Sequence, residues 1–382
     1  MEFTIRASAL LACLLLPGTV SGQGTFRNPL NPGSDPFLVY YRGYYYLTTT
    51  QWDAVRIWKS QVLGDLPRAT PHTVWTDATP SRCCNMWSTE LYLLDGPSGP
   101  RWYLYYTADD RVDSHHRLYV LESRGTDPLG PYDFKAKLLT DPQDSLYAID
   151  PSIHRASNGS LYLLWAGYPG HRLFISRMAN PWTTTGPRVL LPADGFGCEE
   201  VREAPETLIR NGRVFLIYST CDTGKPDYKL GMLIAQEDAN LLDPKSWVQH
   251  PKPVFSRSDA NGVYGPGHNA FFKSPDGKED WIIYHGKTSS DYTYSARTTR
   301  AQPFTWTSDG LPDFGIPLPL DADIPRPSGE GVSSVVRRPE GLGRFPIGQT
   351  AVAPEKEVWT WEGWDAGGRL RAQTRPAQPF PP

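Results

Sequence analysis

The chain has 382 residues, and its 38 Lys and Arg nearly balance its 41 Asp and Glu, which leaves a formal net charge of −3. Without a basic cluster or stripe, this balance argues against a nucleic-acid partner. Gly and Pro number 71 (34 plus 37) and aromatic residues make up 12% of the chain, a combination typical of turn-rich all-β proteins.

Residues 1–22 are typical of a secretory signal peptide. Arg6 supplies a positive charge, residues 9–16 form an apolar run, and Val20-Ser21-Gly22 offers small residues for cleavage. The apolar run is well short of the roughly 20 residues that span a bilayer. We therefore expect a secreted protein that starts near Gln23 and is not held in a membrane after cleavage.

Four cysteines remain after cleavage, and an even number in a secreted chain favours disulfides with three possible pairings. Cys198 and Cys221 bracket one stretch, which favours this pair over the others, and the remaining two are Cys83 and Cys84. The spacing matches no common zinc site. Asn158 begins the one glycosylation sequon and lies in an Asn-Gly turn, so we expect it to carry a glycan.

Five short aromatic and aliphatic segments recur along the chain, and their starts lie 58, 59, 53 and 67 residues apart. Most of them follow a turn that joins them to a preceding short strand, so each repeat begins with a β-hairpin. Repeats of roughly 50–65 residues with about four strands predict a five-bladed β-propeller over residues 23–330. A β-sandwich is the alternative, but it does not require five similar units. The segments are 44–48, 102–106, 161–165, 214–218 and 281–285.

Residues 331–382 break the repeat pattern and are rich in Pro, Arg and Gly. They also carry Trp359, Trp361 and Trp364. We expect a C-terminal extension that is either loosely ordered or packed on the propeller, because about 50 residues is small for an independent module.

Each predicted hairpin opens with an acidic residue or a histidine. Equivalent positions in successive blades lie around the central channel, so these side chains are expected to meet in one funnel. Clustered carboxylates raise each other's pKa, and glycoside hydrolysis needs one protonated and one ionised carboxyl. A single such residue is better explained as turn chemistry, but five in register favour a site. The five residues are Asp35, Glu90, Asp150, Glu203 and His268.

The motifs around these positions resemble glycoside hydrolase family 43, in particular its exo-acting α-L-arabinofuranosidases and arabinanases. The resemblance extends from about residue 26 to residue 330. Relatives often have Gly where this chain has Ala204, and many have Ala-Pro in place of Ser88-Thr89. The matching motifs are Asn31-Pro-Gly-Ser-Asp35-Pro, Trp87-Ser-Thr-Glu90-Leu, Ile149-Asp150-Pro-Ser, Glu203-Ala-Pro-Glu206 and Gly265-Pro-Gly-His268-Asn-Ala-Phe-Phe.

The resemblance implies a role for each matching position. Asp35 resembles the general base that activates water, and Glu203 resembles the general acid that protonates the leaving oxygen. Asp150 resembles the carboxylate that orients the acid and tunes its pKa. His268 resembles a histidine beside a hydrated metal ion on the channel axis, for which Ca²⁺ is the expected ion. No organic cofactor is expected.

Together these features predict a secreted, monomeric, inverting hydrolase that releases L-arabinose from α-L-arabinofuranosyl linkages of arabinan or of arabinose-decorated plant polysaccharides. Inversion requires the acid and base to stand roughly 6.5–9.5 Å apart, which residues in different blades can satisfy. The candidate substrate-binding residues are Trp52, Trp87, Glu90, Trp165 and Arg297.

Three alternatives to this function stay open. An endo-arabinanase and a β-xylosidase would use the same carboxylates, because the loops around the channel decide substrate and mode of attack. A non-catalytic sugar-binding propeller is the third alternative. A lectin has no need for an acid, a base and a third tuning carboxylate together, so the three carboxylates favour an enzyme.

Overall fold

The computed structural model describes residues 24–331, 358–364 and 370–375, which form 24 β-strands and four short 3₁₀ helices. The predicted signal peptide, residues 1–22, lies outside the described residues. Among the described residues there is no helix long and apolar enough to cross a membrane.

Five four-stranded antiparallel sheets form the blades of a β-propeller, so the predicted fold is confirmed. Each blade takes its strands from one continuous stretch of chain, in sequence order from the inside outwards. Blade one has β2 Phe37–Tyr41, β3 Tyr44–Thr48, β4 Val55–Ser60 and β5 Pro71–Trp75; blade two has β6 Cys84–Gly96, β7 Gly99–Asp109, β8 Arg117–Ser123 and β9 Tyr132–Leu138; blade three has β10 Ala148–Arg155, β11 Leu161–Gly167, β12 Arg172–Asn180 and β13 Thr183–Leu190; blade four has β14 Arg202–Arg210, β15 Arg213–Thr220, β16 Lys229–Gln236 and β17 Val248–Gln249; blade five has β18 Tyr264–Lys273, β19 Asp280–Lys287, β20 Thr298–Trp306 and β21 Pro312–Asp313.

Short connections of two to six residues join the first two strands of each blade. Asn211 and Gly212 both have positive φ, 51° and 71°, as a two-residue hairpin turn with the right twist requires. Asn and Gly adopt this conformation at low cost, which is why this dipeptide marks the hairpin in the sequence.

The hydrophobic core lies between neighbouring blades. One cluster joins blades two and three, a second joins three and four, a third joins four and five, and the largest joins blades five, one and two. The second strands are buried on both faces because each lies between two other blades, as Tyr103, Leu104 and Tyr105 of β7 illustrate.

The N-terminal segment closes the ring against blade five. Strand β1, Thr25–Phe26, pairs with β22, Ile324–Pro325. The amide of Asn28 exchanges two hydrogen bonds of 3.0 Å with the backbone of Ala301. This closure brings the residues that follow, among them Asp35, next to blade five.

Two disulfides are formed in the described chain. Cys198 pairs with Cys221, as predicted, and the adjacent Cys83 and Cys84 form the other bond. In the chain-entropy account, the crosslink between Cys198 and Cys221 stabilises the folded state by about 3 kcal/mol.

In the C-terminal extension, strands β23 (Val358–Trp364) and β24 (Leu370–Arg375) pair as an antiparallel hairpin.

Candidate active site

One residue at or just before the innermost strand of each blade has a left-handed backbone, with φ between 47° and 56°. The inner ladder shifts register beside this residue in blades two to five. Non-glycine residues adopt this conformation rarely, and it persists where surrounding contacts hold it. The five residues are Asp35, Ser88, Asp150, Ala204 and His268.

This pattern corrects the predicted register in two blades. In blade two the equivalent residue is Ser88, and Glu90 lies two residues further along the strand. In blade four it is Ala204, and Glu203 is the residue before it. The offsets counted from the aromatic segments missed these shifts because they assumed unbroken strand pairing.

A ring of inter-blade hydrogen bonds holds these residues. Four of the five backbone N–H groups donate to a side chain near the end of the second strand of the preceding blade, or just after that strand. The bonds are Asp35 to His285 Nδ1 at 3.3 Å, Ser88 to Thr50 Oγ1 at 3.0 Å, Asp150 to Thr107 Oγ1 at 3.2 Å, and His268 to Ser219 Oγ at 2.8 Å.

The fifth bond uses Asp150 itself. In blade three the position equivalent to Thr107 is Ala166, which pairs with Ile149 and has no side-chain acceptor. The N–H of Ala204 instead donates to Oδ2 of Asp150 at 3.0 Å. The Asp150 carboxylate thus completes the ring and fixes the backbone next to Glu203.

A cavity of about 440 Å³ lies over this ring and contains the three predicted catalytic carboxylates. Each of the three residues has less than 10% of its surface exposed, although each lines the cavity. The other lining residues are Thr50, Trp52, Trp87, Ser88, Asp113, Tyr147, Ile149, His171, Val201, Asp222, Thr223, His268, Tyr294 and Arg297.

Asp35 is held as a carboxylate. Its Oδ1 lies 3.2 Å from Nη1 of Arg297 and 3.3 Å from Nδ1 of His268, and Thr50 donates to Oδ2 at 2.7 Å. Burial alone would raise the pKa of Asp35, but Arg297 and then His268 outweigh burial and hold that pKa well below its usual range. An ionised carboxylate in a cavity can accept a proton from water.

The pKa of Glu203 is shifted in the opposite direction to that of Asp35. Burial first, and then the charge of Asp150, raise the pKa of Glu203 well above its usual range. The hydroxyl of Tyr228 donates to its Oε1 at 2.7 Å. A carboxyl with a raised pKa holds its proton to higher pH than usual and can donate that proton to a leaving group.

Asp150 of blade three is bonded to residues of both neighbouring blades. Its Oδ1 accepts a hydrogen bond from Ser88 Oγ, and its Oδ2 accepts from the Ala204 N–H. The same carboxylate thus restrains Glu203 through the backbone and raises the pKa of Glu203 through its charge.

His268 belongs to a cluster with Asp35 and His285 whose possible ligand atoms lie within 4.8 Å of one another. Two imidazoles and one carboxylate do not fit a directly ligated Ca²⁺, which takes six to eight oxygen ligands. The guanidinium of Arg297 also neutralises the carboxylate already. A hydrated ion that contacts His268 through water is the form that the donor set allows.

Three of the predicted substrate-binding residues line the cavity. Trp52 is 56% exposed and meets Trp87 edge to face, with ring centroids 5.6 Å apart. Arg297 pairs with Asp35, and its Nε donates to the carbonyl of Tyr294. The two tryptophans form one aromatic wall, and Arg297 contacts the Asp35 carboxylate directly.

The structure places the other two, Trp165 and Glu90, away from the cavity and not at its wall as predicted. Trp165 is 0% exposed and stacks on Phe174 in the core between blades two and three. Glu90 is buried and accepts a hydrogen bond from Tyr92, close to Glu206. Burial raises the pKa of Glu90 well above its usual range and that of Glu206 to about 7.

Several residues at the site carry signals too weak to find from the sequence. His285 is the last residue of the fifth aromatic segment, and its Nε2 lies 3.1 Å from Thr223 Oγ1. Burial lowers the pKa of His285 to about 3, so it is a neutral support for Asp35. Tyr228 lies in a connecting segment without a motif, and only the folded chain brings it to Glu203.

Comparison with known proteins gives a consistent result. Residues 26–312 match the family described as glycosyl hydrolases family 43. The chain is 36% identical to an extracellular exo-α-(1→5)-L-arabinofuranosidase of Streptomyces avermitilis, over 83% of this chain and 71% of that protein. It is 34% identical to α-L-arabinofuranosidase 43 of Humicola insolens, over 87% and 73% of the respective chains.

The fold is also similar to solved structures. An α-L-arabinofuranosidase from Lactobacillus brevis superposes with a TM-score of 0.71 at 33% identity, over 78% of this chain and 98% of that one. A thermostable family-43 glycoside hydrolase gives a TM-score of 0.66 at 24% identity, which supports the fold alone.

Proposed function

Because the chain belongs to glycosyl hydrolases family 43, we propose that it is a secreted exo-acting α-L-arabinofuranosidase that inverts the anomeric centre. Its relatives named as α-L-arabinofuranosidases support the sugar, and those named extracellular, from two Streptomyces species, support secretion. We propose arabinan or arabinose-decorated plant polysaccharide as the substrate and a monomer as the active form.

One feature supports the mechanism: two carboxyls in the same cavity have pKa values shifted in opposite directions. Arg297 lowers the pKa of Asp35 and favours its ionised form, while burial and the charge of Asp150 raise the pKa of Glu203 and favour its protonated form. Inverting hydrolysis needs this pair, one as base and one as acid.

The proposed reaction proceeds in one displacement. Glu203 gives its proton to the glycosidic oxygen as the bond between that oxygen and the anomeric carbon breaks. Asp35 takes a proton from the water that attacks the anomeric carbon from the opposite face. The products are L-arabinose and the shortened saccharide, and proton exchange with solvent then restores both carboxyls.

A panel of substrates tests this function. Aryl α-L-arabinofuranosides, aryl β-D-xylosides and linear arabinan are incubated with the enzyme, and products are separated by size. We expect release of single arabinose units from arabinan and from the aryl arabinofuranoside. Arabinan cut into oligosaccharides would favour an endo-arabinanase, and preference for the xyloside would favour a β-xylosidase.

Asp150→Asn separates the two roles proposed for this residue. The amide keeps an acceptor for the Ala204 N–H, and its NH₂ group can donate to the Ser88 hydroxyl, but the negative charge is lost. Since that charge raises the pKa of Glu203, the acid should deprotonate at lower pH in the variant. We expect the basic limb of the kcat/KM profile to move down by about one pH unit or more.

Asp150→Ala is the comparison for this prediction, because it removes both the charge and the hydrogen bond to Ala204. It should show the same direction of shift and a further loss of activity at every pH. A basic limb that stays in place in Asp150→Asn would contradict the proposed electrostatic role.

We propose that a hydrated cation, Ca²⁺ by its preference for oxygen, rests near His268 and acts on structure and local charge only. No step of the reaction passes through it. Exhaustive chelation should then lower the melting temperature and reduce activity, and added Ca²⁺ should restore both. His268→Ala should abolish the response to Ca²⁺; if chelation changes neither quantity, the ion is not part of this protein.

A further inference from the structure

Tyr228 lies in the segment between β15 and β16 and is fully buried. Its ring is parallel to the imidazole of His285, with an interplanar angle of 9° and centroids 5.4 Å apart. On another side it packs against Gly267, where an added Cβ would lie 2.3 Å from the ring. The ring is therefore fixed by its surroundings, and so is the direction of its hydroxyl.

That hydroxyl donates to Oε1 of Glu203 at 2.7 Å. Burial and the nearby carboxyl raise the pKa of Tyr228 well above its usual value of 10, so the hydroxyl keeps its proton. Oε2 of Glu203 makes no hydrogen bond within the described parts of the chain, although the side chain lines the cavity. The two oxygens of the acid are thus in different environments.

A protonated carboxyl carries its proton on one oxygen only. An oxygen that accepts a hydrogen bond from Tyr228 is favoured as the carbonyl-like oxygen, which leaves the proton to the other oxygen. When the acid has given up its proton, the bond from Tyr228 becomes charge-assisted and strengthens. The tyrosine therefore directs the proton before transfer and stabilises the carboxylate after it.

We propose that Tyr228 is a positioning residue that assigns the transferable proton to Oε2 of Glu203 and eases its delivery to the leaving group. This inference rests on the proposed role of Glu203 as general acid. The tyrosine itself does not exchange a proton with the substrate.

Tyr228→Phe tests the proposal, since it removes the hydroxyl and keeps the ring. We expect kcat on arabinan to fall about tenfold or more and kcat on an aryl arabinofuranoside with a good leaving group to change far less. The basic limb of the pH profile should move up by about one pH unit, because the bond that favours the Glu203 carboxylate is lost. This shift is opposite in sign to that expected for Asp150→Asn.

Tyr218→Phe is the matched control from the same blade. Its hydroxyl is also removed from a buried ring, but it bonds the Asp194 carbonyl at 2.8 Å and the Gln249 side chain at 2.9 Å. This variant should change the melting temperature without changing the leaving-group dependence or the pH profile. Equal losses on both substrates for Tyr228→Phe, or a basic limb that stays or moves down, would overturn the proposal.

The test is separable from the proposed sugar specificity. If the wild type prefers another glycoside, the leaving-group comparison is made on that glycoside. Titration of ¹³C-labelled Glu203 by NMR gives a readout without any substrate, and it should show a higher pKa of Glu203 in Tyr228→Phe. An unchanged or lower pKa would contradict the inference whatever the enzyme hydrolyses.

Discussion

Glu203→Ala should lose about 10²–10⁴-fold in activity on arabinan, the usual contribution of a general acid. The leaving group there is a sugar alkoxide, which departs only with a proton. An aryl arabinofuranoside with a good leaving group departs without much help, so its hydrolysis should fall far less. Steady-state kinetics on both substrates measure the difference.

Glu206→Gln is the control for this prediction. Glu206 lies three residues away on the same strand, is equally buried, and bonds Ser152 at 3.1 Å outside the cavity. It should show the same leaving-group dependence as the wild type. If Glu203→Ala reduces activity equally on both substrates, Glu203 is not the general acid, although the assignment as a glycoside hydrolase would stand.

Asp35→Ala should lose about 10²–10⁴-fold on both substrates, because water must be activated whatever group leaves. Asp35→Asn should be similarly impaired, since the amide keeps the size of the side chain but cannot accept the proton. The melting temperature of each variant shows whether the fold survives.

Asp141→Asn serves as the control for the loss of a buried carboxylate. Asp141 accepts bonds from the backbone of residues 143, 145 and 146, away from the cavity. It should affect stability more than activity. If Asp35→Ala kept its activity on the aryl substrate and lost it only on arabinan, the assignment of Asp35 as base would be contradicted.

The predicted fold and the central carboxylates follow from features that are local in the sequence. The hairpins are marked by turns such as Asn211-Gly212, and their recurrence predicts the blades. Asp35, Asp150 and His268 each occupy the left-handed position of their blade, so counting from the aromatic segments found them.

The sequence placed Glu90 at the cavity because an offset counted from the aromatic segment does not detect a register shift. The inner ladder of blade two shifts between Trp87 and Glu90, and this places Ser88 at the position that Asp150 occupies in blade three. The resemblance to known motifs does not reveal this shift, because Glu90 matches its motif although its side chain is buried away from the cavity.

The predicted place of Trp165 at the cavity differs from its observed place in the core because of packing between blades. An aromatic residue near the end of a strand is as suitable for a sugar as for a core, and strand β11 is buried on both faces between blades. The support of the site by Tyr228 and His285 was also beyond prediction. Tyr228 reaches Glu203 from a connecting segment of blade four that carries no motif, and His285 meets Asp35 only when the closed ring brings blades five and one together.

The most direct test of the account is the anomeric configuration of the first sugar released. Hydrolysis of an α-L-arabinofuranoside is followed by proton NMR from the earliest time points, before mutarotation mixes the anomers. With Asp35 as base and Glu203 as acid in a single displacement, arabinose should appear first as the β-anomer. First appearance as the α-anomer would mean a double displacement and would contradict the mechanism.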